Sequence, residues 1–173
     1  LMLACNIMGI AYSNIDPKLP KDRKKNVLAT LDPTEIFDLF NGPCREEIEK
    51  AAKLYDTIAL PICDFKNMVD SVETDTISYI MLTSGSTGAP KGVAVSHHSV
   101  GNFIDWSRQE FEIKRNSRLS GINQIYFDNS VFDFYCSIYN GACIVPVASD
   151  ILLNSQTTTM FLSQKKITHW FSV

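Results

Sequence analysis

Apolar and polar positions alternate along the chain in two rhythms, one of period two and one of period near four. The change from one to the other marks the predicted elements. Residues 1–9 read as a helix ending at Gly9, 11–15 as a short strand, and Asp16-Pro17 as a turn into a helix over 21–31. A solvated helix is expected over 44–54, where Glu46/Lys50 and Glu49/Lys53 stand four apart with the acid first. A strand over 58–62 follows, then a polar, acidic loop over 64–75. The β-branched run 76–83 predicts a strand, and Gly92-Val93-Ala94-Val95-Ser96 another. Residues 96–110 read as a helix, with Ser96 or Ser99 as its cap. Residues 119–127 read as a strand. The stretch 130–140 reads as a helix, because Val131, Tyr135, Ile138 and Tyr139 share one face and Gly141 supplies a stop. A strand over 142–147, a helix over 157–166 and a strand over 168–173 complete the series. Helices alternating with strands predict an α/β fold of three layers, Rossmann-like, with helices on both faces of a mostly parallel sheet.

The bulk properties narrow this picture. With 173 residues, 45% hydrophobic and 20% charged, the chain has material for one domain with an apolar core. Sixteen basic and nineteen acidic residues give a net charge of −3, which does not favour nucleic acid as a partner. Cys5, Cys44, Cys63, Cys136 and Cys143 form no CxxC pair and no zinc-type cluster with histidine. They read as reduced thiols of a cytoplasmic protein, most of them buried as small apolar groups. His97 and His98 read as structural, no metal-ligating set is expected, and Trp106 and Trp170 read as core. The opening LMLACNIMGIAY lacks a basic flank and is too short to span a bilayer, so membrane attachment has no support. Leu1 is not an initiator methionine and Val173 falls inside an apolar run. The chain is therefore expected to be part of a longer protein.

The segment with the most chemical content is Thr83-Ser84-Gly85-Ser86-Thr87-Gly88-Ala89-Pro90-Lys91-Gly92. Glycines allow backbone N–H groups to turn inward around an anion. Thr83, Ser84, Ser86 and Thr87 add hydroxyl donors, and Lys91 adds a compact positive charge. Such a loop suits a polyphosphate. It is not the GxxxxGK[ST] loop: Pro90 stands where the second glycine is required, and Gly92 replaces the magnesium-holding hydroxyl residue.

The string TSGSTGAPKG, with ISYIML before it and VAVSHHSVGNF after it, resembles the phosphate loop of the adenylate-forming superfamily. That group contains acyl-CoA synthetases, luciferases and the adenylation domains of nonribosomal peptide synthetases. An upstream stretch resembles the family pattern through Gly9, Tyr12, Asp16, Pro17, Pro20 and Arg23. A downstream one, YFDNSVFDFYCSIYNGACIVPV, resembles the Phe-Asp-x-Ser segment of amino-acid-activating members. The likeness runs in family order over nearly the whole chain. It implies part of the large N-terminal, AMP-binding domain, with residues 1–173 lacking the family's downstream adenine, ribose and magnesium elements and its small C-terminal domain. On that reading the chain alone is not expected to catalyse adenylation.

The resemblance implies activation of a carboxylic acid by ATP with Mg2+, releasing pyrophosphate and leaving an acyl-adenylate. The acyl group then passes to a thiol, either phosphopantetheine on a carrier protein or coenzyme A. Lys91 and Thr83 would be the catalytic pair. With Ser84, Ser86 and Thr87 they would hold the β- and γ-phosphates, while Gly85, Gly88 and Gly92 free the backbone. Asp128 would bind the α-ammonium of an amino acid, and Asn129, Phe132 and Phe171 would line its pocket. Asp128, Asn129 and Ser130 are equally good residues to open a helix, so helix grammar alone leaves Asp128 undecided. Three readings follow: an amino-acid-activating ligase that loads a carrier protein, an acyl- or aryl-CoA synthetase, and a non-catalytic nucleotide-binding module.

Overall fold

The computed structural model describes residues 1–36, 70–84 and 90–172, with the backbone alone at Ser84. The helix expected over 44–54, the strand expected over 58–62, and Gly85, Ser86, Thr87 and Gly88 lie outside the described residues. The chain divides into two compact units, Leu1–Ala94 and Val95–Val173.

In the first unit, helix α1 (Met2–Ile7) gives way to Gly9 at φ +66°. That backbone conformation suits only glycine without strain, and a Cβ there would also come within 3.3 Å of Val72. Of the strand expected over 11–15, Tyr12 alone pairs, in a parallel bridge to Tyr79. The Ile80 N–H donates to the Tyr12 carbonyl at 2.8 Å. The chain then turns at Asp16, whose Oδ1 accepts from the Lys18 N–H at 2.9 Å. Helix α2 (Lys21–Leu31) starts after Pro20, where a missing N–H costs nothing, and stops at Asp32 in the left-handed region. It buries Val27. Strands β1 (Ile77–Ser84) and β2 (Pro90–Ser96) pair as a two-stranded sheet. Ser78 on β1 is wholly buried, and its hydroxyl donates to Asn6 Oδ1 at 2.7 Å, tying the strand to α1.

The second unit opens with helix α3 (His97–Glu110), capped by the Ser96 hydroxyl, which accepts from the Ser99 N–H. Strands β3 (Arg118–Gly121) and β4 (Cys143–Pro146) run parallel, with Leu119 opposite Ile144 and Gly121 opposite Pro146. His169 bridges Leu119 in parallel on the other side of β3. The strand expected over 168–173 is thus a single bridge.

The strand expected over 119–127 stops at Gly121. Its partner β4 has four residues, and beyond them the chain turns, with the Phe127 N–H donating to the Gln124 carbonyl at 2.9 Å. The helix expected over 130–140 is helical over 130–138, but its centre, Phe132–Cys136, has π-helical spacing. The Ser137 hydroxyl donates to the carbonyls of Asp133 and Phe134 within this turn and so competes with the main-chain ladder. Gly141, at φ +64°, ends it. A 3-10 turn, Ile151–Leu153, leads into helix α4 (Ser155–Gln164), where Asn154 Oδ1 accepts from the N–H groups of Gln156 and Thr157. That cap moves the helix start forward from the expected residue 157.

The core of this unit joins Ile113, Leu119, Phe132 and Cys136, with Phe103, Ala142 and Phe171 packed against it. Trp106 and Trp170, expected in the core, are 48% and 42% exposed. Trp106 packs against Phe103 and edge-on against Phe111 at the margin of the core, and the Trp170 ring N–H donates to Ser172 at the surface.

Candidate active site

Parallel strands aim their backbone dipoles and their following loops the same way. In open α/β sheets, groups that bind ligands therefore gather beyond the carboxyl ends of strands. The described residues follow this rule. Thr83 and Ser84 end β1, Asn123 and Asp128 follow β3, and Phe171 follows the bridge at His169.

In the first unit, Thr83 and Lys91 stand on paired strands on either side of residues 85–89. The Thr83 hydroxyl donates to the Lys91 carbonyl at 3.4 Å, and both side chains are exposed. The paired strands thus carry an exposed hydroxyl residue and an exposed lysine at neighbouring positions, residue types suited to an anion. Gly92 has a reason of its own to lack a side chain. A Cβ there would lie 2.9 Å from Cγ2 of Ile80, closer than packed atoms come.

In the second unit, Asp128 is exposed on the turn between β3 and the π-helical segment. Its Oδ1 accepts from the Asn129 N–H at 2.9 Å. The N–H groups of Ser130, Val131 and Phe132 donate to the carbonyls of Phe127, Asp128 and Asn129. Main-chain bonds thus close this turn, and the Asp128 carboxylate adds one acceptor to it, Oδ1, for the adjacent Asn129 N–H. Asn129 is half-buried. Phe132 is buried in the core, stacked on Phe171 with ring centroids 4.5 Å apart and edge-on to Phe111 at 5.2 Å. Phe171 is partly buried. Asp128, Asn129, Phe132 and Phe171 are thus brought into one unit, with the two rings in direct contact.

Sequence reasoning passed over Asp133 and Asn123. Asp133, in the π-helical turn, is 3% exposed. Its Oδ2 accepts from the Asn123 N–H at 3.1 Å and from Asn123 Nδ2 at 2.8 Å. The same Nδ2 donates to the Phe171 carbonyl at 2.9 Å. Burial pushes the Asp133 carboxyl up to about 6, against the lowering effect of the Asn123 hydrogen bonds. The signal was present in the sequence: an acid inside the otherwise apolar run Val131–Cys136, where a charge is costly unless it has partners. Burial likewise pushes the Cys136 thiol up to about 11 and lowers the pKa of His97. Cys143, by contrast, is exposed, and Cys44 and Cys63 lie outside the described residues. No helix among the described residues is long and apolar enough to cross a membrane.

A family model for AMP-binding enzymes matches residues 1–173, the whole chain. The chain belongs to the AMP-binding enzyme family. Among curated members, it is 29% identical over 187 residues to the L-proline–[L-prolyl-carrier protein] ligase of Pseudomonas fluorescens. That alignment takes in 100% of this chain and 37% of the relative. It is also 29% identical over 180 residues to the D-alanine–D-alanyl carrier protein ligase of Lactococcus lactis, covering 99% of this chain and 35% of that enzyme. The chain thus spans little more than a third of the length of these AMP-binding relatives. Among solved structures, the Vibrio cholerae adenylation domain AlmE, crystallised with glycyl-adenosine-5'-phosphate, superposes with a TM-score of 0.75. Identity there is 21%, over 99% of this chain and 37% of that one. At that identity the likeness establishes the α/β fold of this AMP-binding chain.

Proposed function

We propose that the full-length protein activates an amino acid with ATP and delivers it to the phosphopantetheine thiol of a carrier protein. In the reaction, a carboxylate oxygen of the amino acid attacks the α-phosphorus of ATP. The bond to the bridging oxygen breaks, pyrophosphate leaves, and an aminoacyl-adenylate remains. The attacking acid and the triphosphate are both anionic, so the protein's task is to neutralise and position charge. Lys91 and Thr83, exposed together at the paired strand ends, suit the β- and γ-phosphates. Ser84, Gly85, Ser86, Thr87, Gly88 and Gly92 complete the phosphate loop on this reading. Mg2+ would enter with the triphosphate and supply further neutralising charge.

The observation that carries the choice of an amino acid is the state of Asp128. Its carboxylate is exposed on the turn that follows β3 and accepts the adjacent Asn129 N–H through Oδ1, which leaves further acceptor positions for an ammonium group. A pair of unit charges 4 Å apart is worth about 1 kcal/mol in water and about 4 kcal/mol where the effective dielectric constant is near 20. Two of the most similar curated relatives are ligases for an amino acid and a carrier protein, in agreement with this reading.

The test is amino-acid-dependent exchange of labelled pyrophosphate into ATP, run on the full-length protein with a panel of amino acids, acetate and a medium-chain fatty acid. Exchange is expected with one or a few amino acids. Asp128→Ala should raise KM for the amino acid about ten- to a hundredfold, the loss of one partly solvated charge pair. Exchange with simple acids alone would transfer the protein to the acyl- or aryl-CoA synthetases. Binding of ATP without exchange across the panel would favour a non-catalytic nucleotide-binding module.

A further inference from the structure

Asp133 does nothing in the reaction outlined above, yet it occupies a place where an acid is expensive. It is 3% exposed, and its Oδ1 has no hydrogen-bond partner among the described residues. Truly unpartnered buried carboxylate oxygens are rare, and a well-packed apolar side chain in the same space would cost the fold less. Stability therefore does not account for an acid here.

Its other oxygen has a definite occupation. Oδ2 holds both the backbone and the side-chain amide of Asn123, and the Asn123 amide in turn holds the Phe171 carbonyl. One carboxylate thus fastens three pieces of chain: the π-helical turn that carries Phe132, the loop after β3 that leads to Asp128, and the segment that carries Phe171. These pieces contain all four residues assigned to the amino-acid pocket. The Phe132 and Phe171 rings, stacked at 4.5 Å, lie on two of the three. π-Helical insertions inside helices often coincide with functional sites, because they re-aim side chains that a regular helix would leave in register.

We propose that Asp133 and Asn123 are positioning residues that set the amino-acid pocket by locking the Asp128 loop and the Phe171 segment onto the π-helical turn. The inference rests on the amino-acid-activating reading for its functional consequence, but its structural content stands apart from that reading.

Two measurements on the full-length protein test it. The first is amide hydrogen exchange of the ligand-free protein, read over peptides covering 122–132 and 168–172. Asn123→Ala is expected to raise exchange in both segments about tenfold, the loss of one or two buried hydrogen bonds. Asp133→Ala, which removes the acceptor of both Asn123 amides, should raise it in the same two segments at least as much. The second is pyrophosphate exchange. Asn123→Ala and Asp133→Ala should each raise KM for the amino acid about tenfold while KM for ATP stays within about twofold. The proposal is overturned if Asn123→Ala leaves both segments as protected as in the wild type. It is overturned equally if the KM values for amino acid and ATP rise together. If the wild type exchanges pyrophosphate with no acid, the hydrogen-exchange result decides on the clamp alone, and the failure belongs to the activation reading.

Discussion

The exposed strand ends at Thr83 and Lys91 in the first unit and the packed helix end at Phe132 and Phe171 in the second are built in opposite ways. Around Thr83 and Lys91 the side chains are exposed, and the Thr83 hydroxyl donates to the Lys91 main-chain carbonyl at 3.4 Å. Around Phe132 and Phe171 the rings are stacked, Phe132 buried and Phe171 partly so, and the chain that carries them is bound through Asp133 and Asn123. The contrast follows from what each end is proposed to hold. A triphosphate is large, highly charged and recognised by donors that can approach from solvent, so exposed hydroxyl and ammonium groups serve it. A small amino acid has to be distinguished from its neighbours by shape, and shape requires walls that do not move. On the proposed reading, an anion site and an amino-acid pocket thus draw on different physics.

The largest effect should come from the exposed end. Lys91→Ala is expected to lower the rate of pyrophosphate exchange about a hundred- to a thousandfold, as when one preorganised donor to developing charge is removed. Its melting temperature should stay unchanged, because an exposed ammonium group contributes little to folding. A loss of stability in that variant would erase the contrast between the two ends.

Gly92→Ala comes next. Its Cβ would have to displace Ile80 Cγ2 from 2.9 Å, and overpacking of this kind costs about 1–3 kcal/mol. Urea unfolding should register the loss, and adding Ile80→Ala should recover part of it. Failure of the second substitution to help would mean that the two strands tolerate the extra methyl by other movements.

The smallest effect belongs to the buried end and depends on pH. Asp133 titrates near 3.8 in an unfolded chain and at about 6 in the folded one. The folded state therefore holds this proton more tightly, and stability falls as pH rises through that window and then levels off. Other carboxylates titrate over the same range, so the difference between wild type and Asp133→Asn carries the signal. Thermal melts from pH 3.5 to 7 should show the wild type losing ground against the variant as pH rises. Parallel curves would mean that the carboxylate is better solvated than its burial implies.

Much of the fold was legible where local chemistry settles it. Helix α2 runs from Lys21 to Leu31 as its pattern predicts, Ser96 caps α3, and Gly9 and Gly141 take the left-handed conformation that helix ends require. What escaped was set by partners distant in sequence. The run Ile125, Tyr126, Phe127 alternates like a strand, yet β3 ends at Gly121 because its partner β4 offers four residues and no more. π-Helical spacing leaves no mark in the hydrophobic period, since it is a slip in hydrogen bonding near Ser137. In the site, the loop of hydroxyls, glycines and Lys91 declared itself by composition. The acid Asp133 stood out inside an apolar run, but its pairing with Asn123, ten residues away, could not be read, because Asn123 is unremarkable until the fold brings the two together.

Gly92 bears on how this loop should be used as a diagnostic. The glycine is demanded by Ile80 across the strand pair and would be demanded with or without a nucleotide. A gene copy that had drifted into a non-enzymatic role would still need it to fold, whereas nothing in the packing would protect Lys91. In a survey of sequences, the glycine would mark ancestry and, on the proposed role of Lys91, the lysine beside it would mark retained chemistry.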